Sequence, residues 1–333
     1  MKISVIGAGS FGTAMAIIAG RAGNDVLLWA HDPKVADSVR EAGANPFYLP
    51  DIPLGERVSV TNDLREIAAF SDVFFMVVPS HHFRGVLSEL ESYLDRPVQV
   101  ISGTKGIENA TLERMSEVTA AVLGPKLGAF AALSGPTFAL ETAKGDPTTA
   151  VIASHDAAFA EELQHVLSCA SFRLYSTTDV VGVELAGSLK NVIAIAAGVL
   201  EGLGLGSNTN AALVTRGLHE MTRLGMALGG RMETFAGLAG MGDLLLTCTG
   251  ALSRNRSVGV QLGRGKRLDD ILRESRLVAE GVRTSKSAKE LAARHNMDMP
   301  ITSEMYRVLY EDESPRNAIQ RLMSRSLKAE AAR

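Results

Sequence analysis

Lys190 and Asn191 stand in Gly187-Ser188-Leu189-Lys190-Asn191, where they interrupt an otherwise apolar helical stretch. A lysine held there faces a cleft, and burial lowers its pKa until it can donate and accept a proton near neutral pH. The bland reading is a lysine snorkelling to the surface from a partly buried helix. Gly240-Met241-Gly242-Asp243 sets a lone carboxylate in a Gly-rich apolar turn, where Asp243 either caps a helix or holds Lys190 charged and aimed. Ser253-Arg254-Asn255-Arg256 gathers hydroxyl, guanidinium and amide donors suited to a phosphate, or else forms a solvated cationic face. Thr104-Lys105-Gly106 and Ser134-Gly135-Pro136-Thr137 each follow a β-branched run, which places Lys105, Gly135 and Thr137 at strand ends. The combination suits proton transfer beside a small anionic substrate.

A third motif adds a partner for that chemistry. Gly7-Ala8-Gly9-Ser10-Phe11-Gly12 lies between a first strand and a helix over 13–22, the setting that makes a G-x-G-x-x-G specific for a dinucleotide. Gly7 permits the tight turn, Gly9 the approach of a pyrophosphate and Gly12 close helix packing, with the helix N-terminus attracting the anion. A purely structural glycine turn is the alternative. The ribose is read about 20 residues on. There Trp29-Ala30-His31-Asp32 offers Asp32 at the right spacing but past the strand tip, so both NAD and NADP are allowed, the latter with His31 or Arg40 nearby.

Positioning these groups requires a sheet. Runs at 3–6, 26–29, 58–60, 73–78, 98–101 and 130–133 alternate with helical stretches, the rhythm of a parallel sheet, and Val73–Val78 is apolar at every position, as when helices cover both faces. Weaker strands at 148–153 and 172–175 flank a helix over 157–167, after which the β pattern stops. We therefore expect an α/β chain: a doubly wound Rossmann-type parallel-sheet domain over 1–178, then a mostly α-helical substrate and catalytic domain over 179–333. Leu213, Leu218, Met221, Leu224 and Leu228 keep helical spacing in the second half.

Composition agrees. The 333 residues are 46% apolar and 21% charged, and 34 Lys and Arg against 37 Asp and Glu give a net charge of −3. No overall field draws nucleic acid or an anionic membrane. The most apolar stretch, 191–200, is half the ~20 residues of a membrane span and is closed by Lys190 and Glu201. The chain opens on a strand already under way, so a cytoplasmic location is expected. Cys169 and Cys248 lack metal-ligand spacing and are read as reduced structural thiols, with no metal site.

These segments, with Pro79-Ser80-His81 and Leu189-Lys190-Asn191-Val192-Ile193-Ala194, together resemble bacterial NAD(P)-dependent glycerol-3-phosphate dehydrogenase from end to end. The resemblance implies reversible reduction of dihydroxyacetone phosphate to sn-glycerol 3-phosphate, a phospholipid precursor, with hydride from NAD(P)H reaching C2 and Lys190 moving the proton. It implies a substrate site of Lys105, Gly135, Thr137, Lys190, Asp243, Ser253, Arg254 and Asn255. It also implies cofactor contacts at Ser10, Phe11, His31, Lys105, Ala139, Arg254, Val278 and Glu280, beside the glycines at 7, 9 and 12. His81 and His82 read as helix-start residues packing near the nicotinamide rather than as the proton donor. A homodimer is compatible with the apolar helical half. Two other readings stay open on the residues alone: a lysine-dependent dehydrogenase of 3-hydroxy acids or sugar-acid phosphates, with Arg254 and Asn255 on a carboxylate, and a non-catalytic dinucleotide sensor.

Overall fold

The computed structural model describes residues 1–274, 279–327 and 329–330. Its first part runs β1 (Lys2–Ile6), α1 (Ser10–Arg21), β2 (Asp25–Trp29), α2 (Pro33–Ala42), β3 (Ala44–Asn45), β4 (Leu49–Pro53), β5 (Val58–Thr61), α3 (Leu64–Phe70), β6 (Val73–Met76) and α4 (Ser80–Glu91). It continues with β7 (Val98–Ser102), α5 (Met115–Leu123), β8 (Leu127–Ser134), α6 (Ala139–Lys144), β9 (Thr148–Ala153), α7 (Ala157–Leu167) and β10 (Phe172–Thr177). Eight strands form one sheet in the order β10-β9-β8-β7-β6-β1-β2-β5. The chain winds outward from β1 in both directions, so the crevice between β1 and β6 is a topological switch point where ligands bind in such sheets. Helices cover both faces, and all four residues of β6 are buried.

Two features depart from the sequence expectation. β3 and β4 form a separate antiparallel pair. Pro50 and Pro53, which cannot donate to a ladder, hide β4 from a strand pattern. More consequentially, β9 pairs antiparallel with β8, and β10 pairs parallel with β9, so the last two strands run against the other six. The six residues of α6 rise about 9 Å, whereas the eight of β8 extend about 26 Å. A helix that short does not carry the chain back to the start of the sheet, and β9 turns down beside β8 instead.

The second part is helical among the described residues: α8 (Val180–Gly202), α9 (Ser207–Ala227), α10 (Met232–Ala236), a wide turn at Leu238–Gly242, α11 (Asp243–Thr249), α12 (Arg254–Gly263), α13 (Leu268–Glu274), α14 (Glu280–Arg294), α15 (Pro300–Tyr310) and α16 (Pro315–Met323). Helices α9, α10, α11, α12, α14 and α15 pack on α8, with α13 against α12 and α16 against α15. Lys190 lies inside α8 rather than closing an apolar stretch, so this 23-residue helix is long and apolar enough by length and composition to cross a membrane. Here it is the core of the fold, with 20 of its residues buried. Helices α8 and α12 touch backbone to backbone through Gly198 and Gly202 on one and Gly259 and Gly263 on the other. A Cβ at Gly198 would lie 2.0 Å from the Arg256 carbonyl oxygen, and one at Gly259 2.0 Å from that of Ile195. Glycine is required there by space alone.

Candidate active site

The switch point supplies the first half of the site. Helix α1 begins at Ser10, inside the glycine motif and three residues before the sequence suggested, and no side chain caps its N-terminus. A Cβ at Gly12 would fall 1.8 Å from the Gly7 carbonyl oxygen, so the turn closes only with glycine, whereas one at Gly9 would meet nothing within 4 Å. Uncapped amides thus face open space, which is the setting for a pyrophosphate. Arg254 opens α12 and reaches across to donate to Ser10 Oγ at 2.8 Å. Burial draws its guanidinium below the ordinary pKa, and it remains the cation beside those amides.

Where β7 and β8 end, the second half assembles. Lys105 Nζ donates to Asp243 Oδ2 at 2.7 Å and to the Gly135 carbonyl at 3.2 Å. That carbonyl also accepts from Thr137 Oγ1 at 3.1 Å. From the helical side, Lys190 Nζ donates to Asp243 Oδ1 at 2.5 Å and to Thr247 Oγ1 at 2.7 Å. One carboxylate therefore bridges two ammonium groups from different parts of the chain. An ammonium has three donors. Two of those on Lys190 are engaged, and the third is available to a substrate oxygen.

Electrostatics follow from burial. Lys190 is 5% exposed and Asp243 1%. Burial pushes Lys190 down to about 8, with the Lys105 charge adding to the fall and Asp243 opposing it. For Asp243 burial acts the other way, but the two ammonium groups outweigh it and hold the carboxyl below its ordinary value. Asp243 thus stays ionised while Lys190 exchanges its proton near neutrality. The adjacent Cys248 thiol is pushed up by burial to about 12 and stays protonated.

Other sequence-selected residues are distributed around this centre. Phe11 lies under Lys105, 5.7 Å from Nζ to its ring centroid, and Phe11 and Ala139 pack on the same core. Ser253 caps α12 by accepting from the Arg256 amide. Asn255 donates to Asn191 Oδ1 at 2.9 Å and accepts from the Gly281 amide at 2.9 Å. Arg256 turns away to Glu201, with 2.5 Å between charged atoms, and takes no part in the donor group. Glu280 accepts from the amide and hydroxyl of Ser80 at 2.9 and 2.6 Å, and burial raises its pKa against those bonds. His31 stands apart, exposed and edge-on to Trp29. Asp32 caps α2 by accepting from the Lys34 amide, and Arg40 pairs with Asp37. Val278 lies outside the described residues. His81 and His82 sit in the first turn of α4, their rings 4.0 Å apart.

Sequence reasoning missed Thr247, which holds Lys190 from the second side. Its only signal was spacing: it follows Asp243 by one helical turn and donates to the Asp243 carbonyl at 2.6 Å. Among the described residues, no three His, Cys, Asp or Glu side chains gather as metal ligands.

Comparison with known proteins matches this arrangement along nearly the whole chain. Residues 2–160 fit the family model of the NAD-dependent glycerol-3-phosphate dehydrogenase N-terminus, and residues 179–320 fit that of its C-terminus. A glycerol-3-phosphate dehydrogenase [NAD(P)+] of Geobacter sulfurreducens is 52% identical over 330 residues, covering 99% of this chain and 98% of its own. One from Syntrophotalea carbinolica is 51% identical over 331 residues, covering 99% of each. The crystal structure of glycerol-3-phosphate dehydrogenase from Coxiella burnetii superposes with a TM-score of 0.93 at 39% identity, covering 97% of this chain and 99% of that one.

Proposed function

The chain belongs to the NAD-dependent glycerol-3-phosphate dehydrogenase family, and from that premise we propose how its residues carry out the reversible reduction of dihydroxyacetone phosphate to sn-glycerol 3-phosphate. The observation that carries the reading is the buried Lys190–Asp243–Lys105 bridge facing the uncapped start of α1 across one crevice. NAD(P)H, when bound, supplies the hydride. Part of the chain fits it: Gly7, Gly9 and Gly12 shape the turn, and Ser10 and Arg254 sit at the anion position. We also assign cofactor contacts to Phe11, His31, Lys105, Ala139, Val278 and Glu280.

In reduction, Lys190 gives a proton to the substrate's C2 oxygen, and in oxidation it takes the proton back. Asp243 and Thr247 fix its nitrogen, so the free N–H points in one direction. Lys105 places a second positive charge beside that oxygen, where negative charge develops. Gly135, Thr137, Ser253, Arg254 and Asn255 complete the substrate site, with the 253–255 group on the phosphate. The half-buried guanidinium and the hydroxyl at the start of α12 support that assignment. Asn255 additionally ties α12 to α8 and α14.

The division at 178/179 is supported by the end of β10 at Thr177 and by the separate family models on either side. The reading also includes a cytoplasmic enzyme of glycerophospholipid synthesis acting on a small-molecule substrate. A homodimer through the helical half draws support from exposed apolar side chains there, Leu205, Met226 and Met232. The deciding experiment follows reduced-nicotinamide absorbance as the purified protein meets dihydroxyacetone phosphate with NADH or NADPH, with unphosphorylated dihydroxyacetone as control. Oxidation only with the phosphorylated ketone supports the reading; none with either cofactor refutes it.

A further inference from the structure

Helix α8 starts ten residues before the lysine it carries, at Val180. Although β9 and β10 run against the other strands, they overlap β8 only at its end, so Thr177 at the end of β10 lies level, through Ala153 and Ala132, with Ser102, Met76 and Ile6 at the carboxyl ends of β7, β6 and β1. The first turns of α8 pack on these strand ends before the helix brings Lys190 to the site. Val180 and Val183 pack on Ala132 of β8 and Ala153 of β9. At Gly187 the helix is so close to the end of β8 that a Cβ would lie 2.6 Å from Ser134 Oγ. These contacts are apolar or small, and such surfaces set distance better than rotation or slide.

One polar group in those turns fixes both. Glu184 is buried on α8, 8% exposed, and reaches the start of α5 in the sheet domain. Its Oε1 accepts from the Ser116 amide at 2.7 Å, and its Oε2 from Ser116 Oγ at 2.6 Å and from the Arg114 guanidinium at 2.8 Å. A carboxylate at a helix start meets unpaired amides and the positive end of the dipole. Arg114 also pairs in a β-bridge with Ile107, two residues beyond Lys105. The same short segment is thus tied through Ile107 to the loop bearing Lys105, and through Glu184 to the helix bearing Lys190. Those two lysines take opposite oxygens of Asp243.

We infer that Glu184 is a positioning residue for the reaction: it locks the rotation and slide of α8 against the Lys105 loop, so that Lys190 and Lys105 hold Asp243 together and the free N–H of Lys190 meets the substrate oxygen. This inference rests on the dehydrogenase reading above. Six residues separate Glu184 from Lys190, about 9 Å of helix rise, so Glu184 acts through α8 and not by touching the substrate.

The test compares the wild type with Glu184→Gln and with Ser116→Ala, which removes one donor and leaves the helix start intact. Turnover by the wild type establishes the underlying reaction separately. For Glu184→Gln we expect kcat to fall at least ten-fold, with cofactor Kd from fluorescence titration and KM for dihydroxyacetone phosphate each changed less than three-fold. The isotope effect with nicotinamide deuterated at the transferred position should rise, and the alkaline limb of kcat should move to lower pH as Lys190 slips from Asp243. Amide exchange at Ser116, read without substrate or cofactor, should quicken. Ser116→Ala should move kcat and exchange the same way by a smaller factor, and it decides alone if Glu184→Gln does not fold. Wild-type kcat and pH profile in a folded variant whose Ser116 exchange has quickened would overturn the inference and leave Glu184 a stabilising contact only. So would a loss of kcat matched by an equal loss of folded protein or of cofactor binding.

Discussion

Lys105 and Lys190 share one carboxylate, each holding a different oxygen of Asp243, and each comes from a different half of the molecule. The arrangement makes the proton affinity of Lys190 depend on how the halves meet. Separated from Asp243, Lys190 would keep its burial penalty and lose its principal counter-charge.

Replacing Lys190 by alanine removes the proposed proton donor and leaves the turn at Gly7–Gly12 untouched. We expect kcat to fall by ~10² or more, the range for a lost general acid, while cofactor affinity changes little. Steady-state rates with a fluorescence titration of NADH and NADPH separate the two. Near wild-type turnover would remove Lys190 from the proton-transfer role.

The pH dependence has a definite sign. With Lys190 near 8 and in the proposed role, reduction draws on its protonated form, so the rate of ketone reduction should fall as pH rises through about 8 and alcohol oxidation should rise over the same range. Asp243→Asn withdraws the charge that favours the ammonium, and should shift both limbs to lower pH. It also leaves two cations facing each other, which we expect to cost on the order of 3 kcal/mol in stability. Profiles in both directions, with a denaturant titration, check this, and coincident profiles for the two proteins would contradict it.

Arg254→Ala should act on binding. A charge-assisted hydrogen bond is worth roughly 1.5 to 3 kcal/mol, so KM for dihydroxyacetone phosphate should rise about 10- to 150-fold, with a smaller change in kcat. An unchanged KM together with an unchanged kcat would return Arg254 to the role of a solvated cation.

Gly259→Ala tests the crossing of α8 and α12. Its added methyl would stand 2.0 Å from the Ile195 carbonyl oxygen, so the helices must separate. The expected loss is ~1–3 kcal/mol, the usual range for overpacking. Because Arg254 begins α12, substrate KM should rise as well. A thermal melt at wild-type temperature would show that the helices yield without cost.

Much of this was legible in the chain. The glycine motif, the eight strands of the sheet and the separate lysine, aspartate and 253–255 segments are local patterns, and local patterns survive without tertiary information. Pairings were not legible, because they join residues far apart: Glu184 with Ser116, Asn191 with Asn255, Glu280 with Ser80. Competing local roles are not legible either. Asp32 has the spacing of a ribose reader yet caps α2, and Arg256 belongs to Glu201 rather than to the neighbouring donors. The reversal at β9 depended on the length of one short helix, which hydrophobic spacing does not report.

The contacts of Val180, Val183 and Glu184 with the sheet domain make the first turns of α8 a ruler. A residue inserted between Val180 and Leu189 would advance Lys190 by about 1.5 Å and swing it by about 100°, away from a carboxylate held in place by other helices. The segment therefore admits changes of side chain but not of length, whereas the surface loops between the outer helices can lengthen freely. An exchange of halves with another dinucleotide-binding protein would succeed only if the donor brought a matching anchor for those turns and the same count of residues to the lysine.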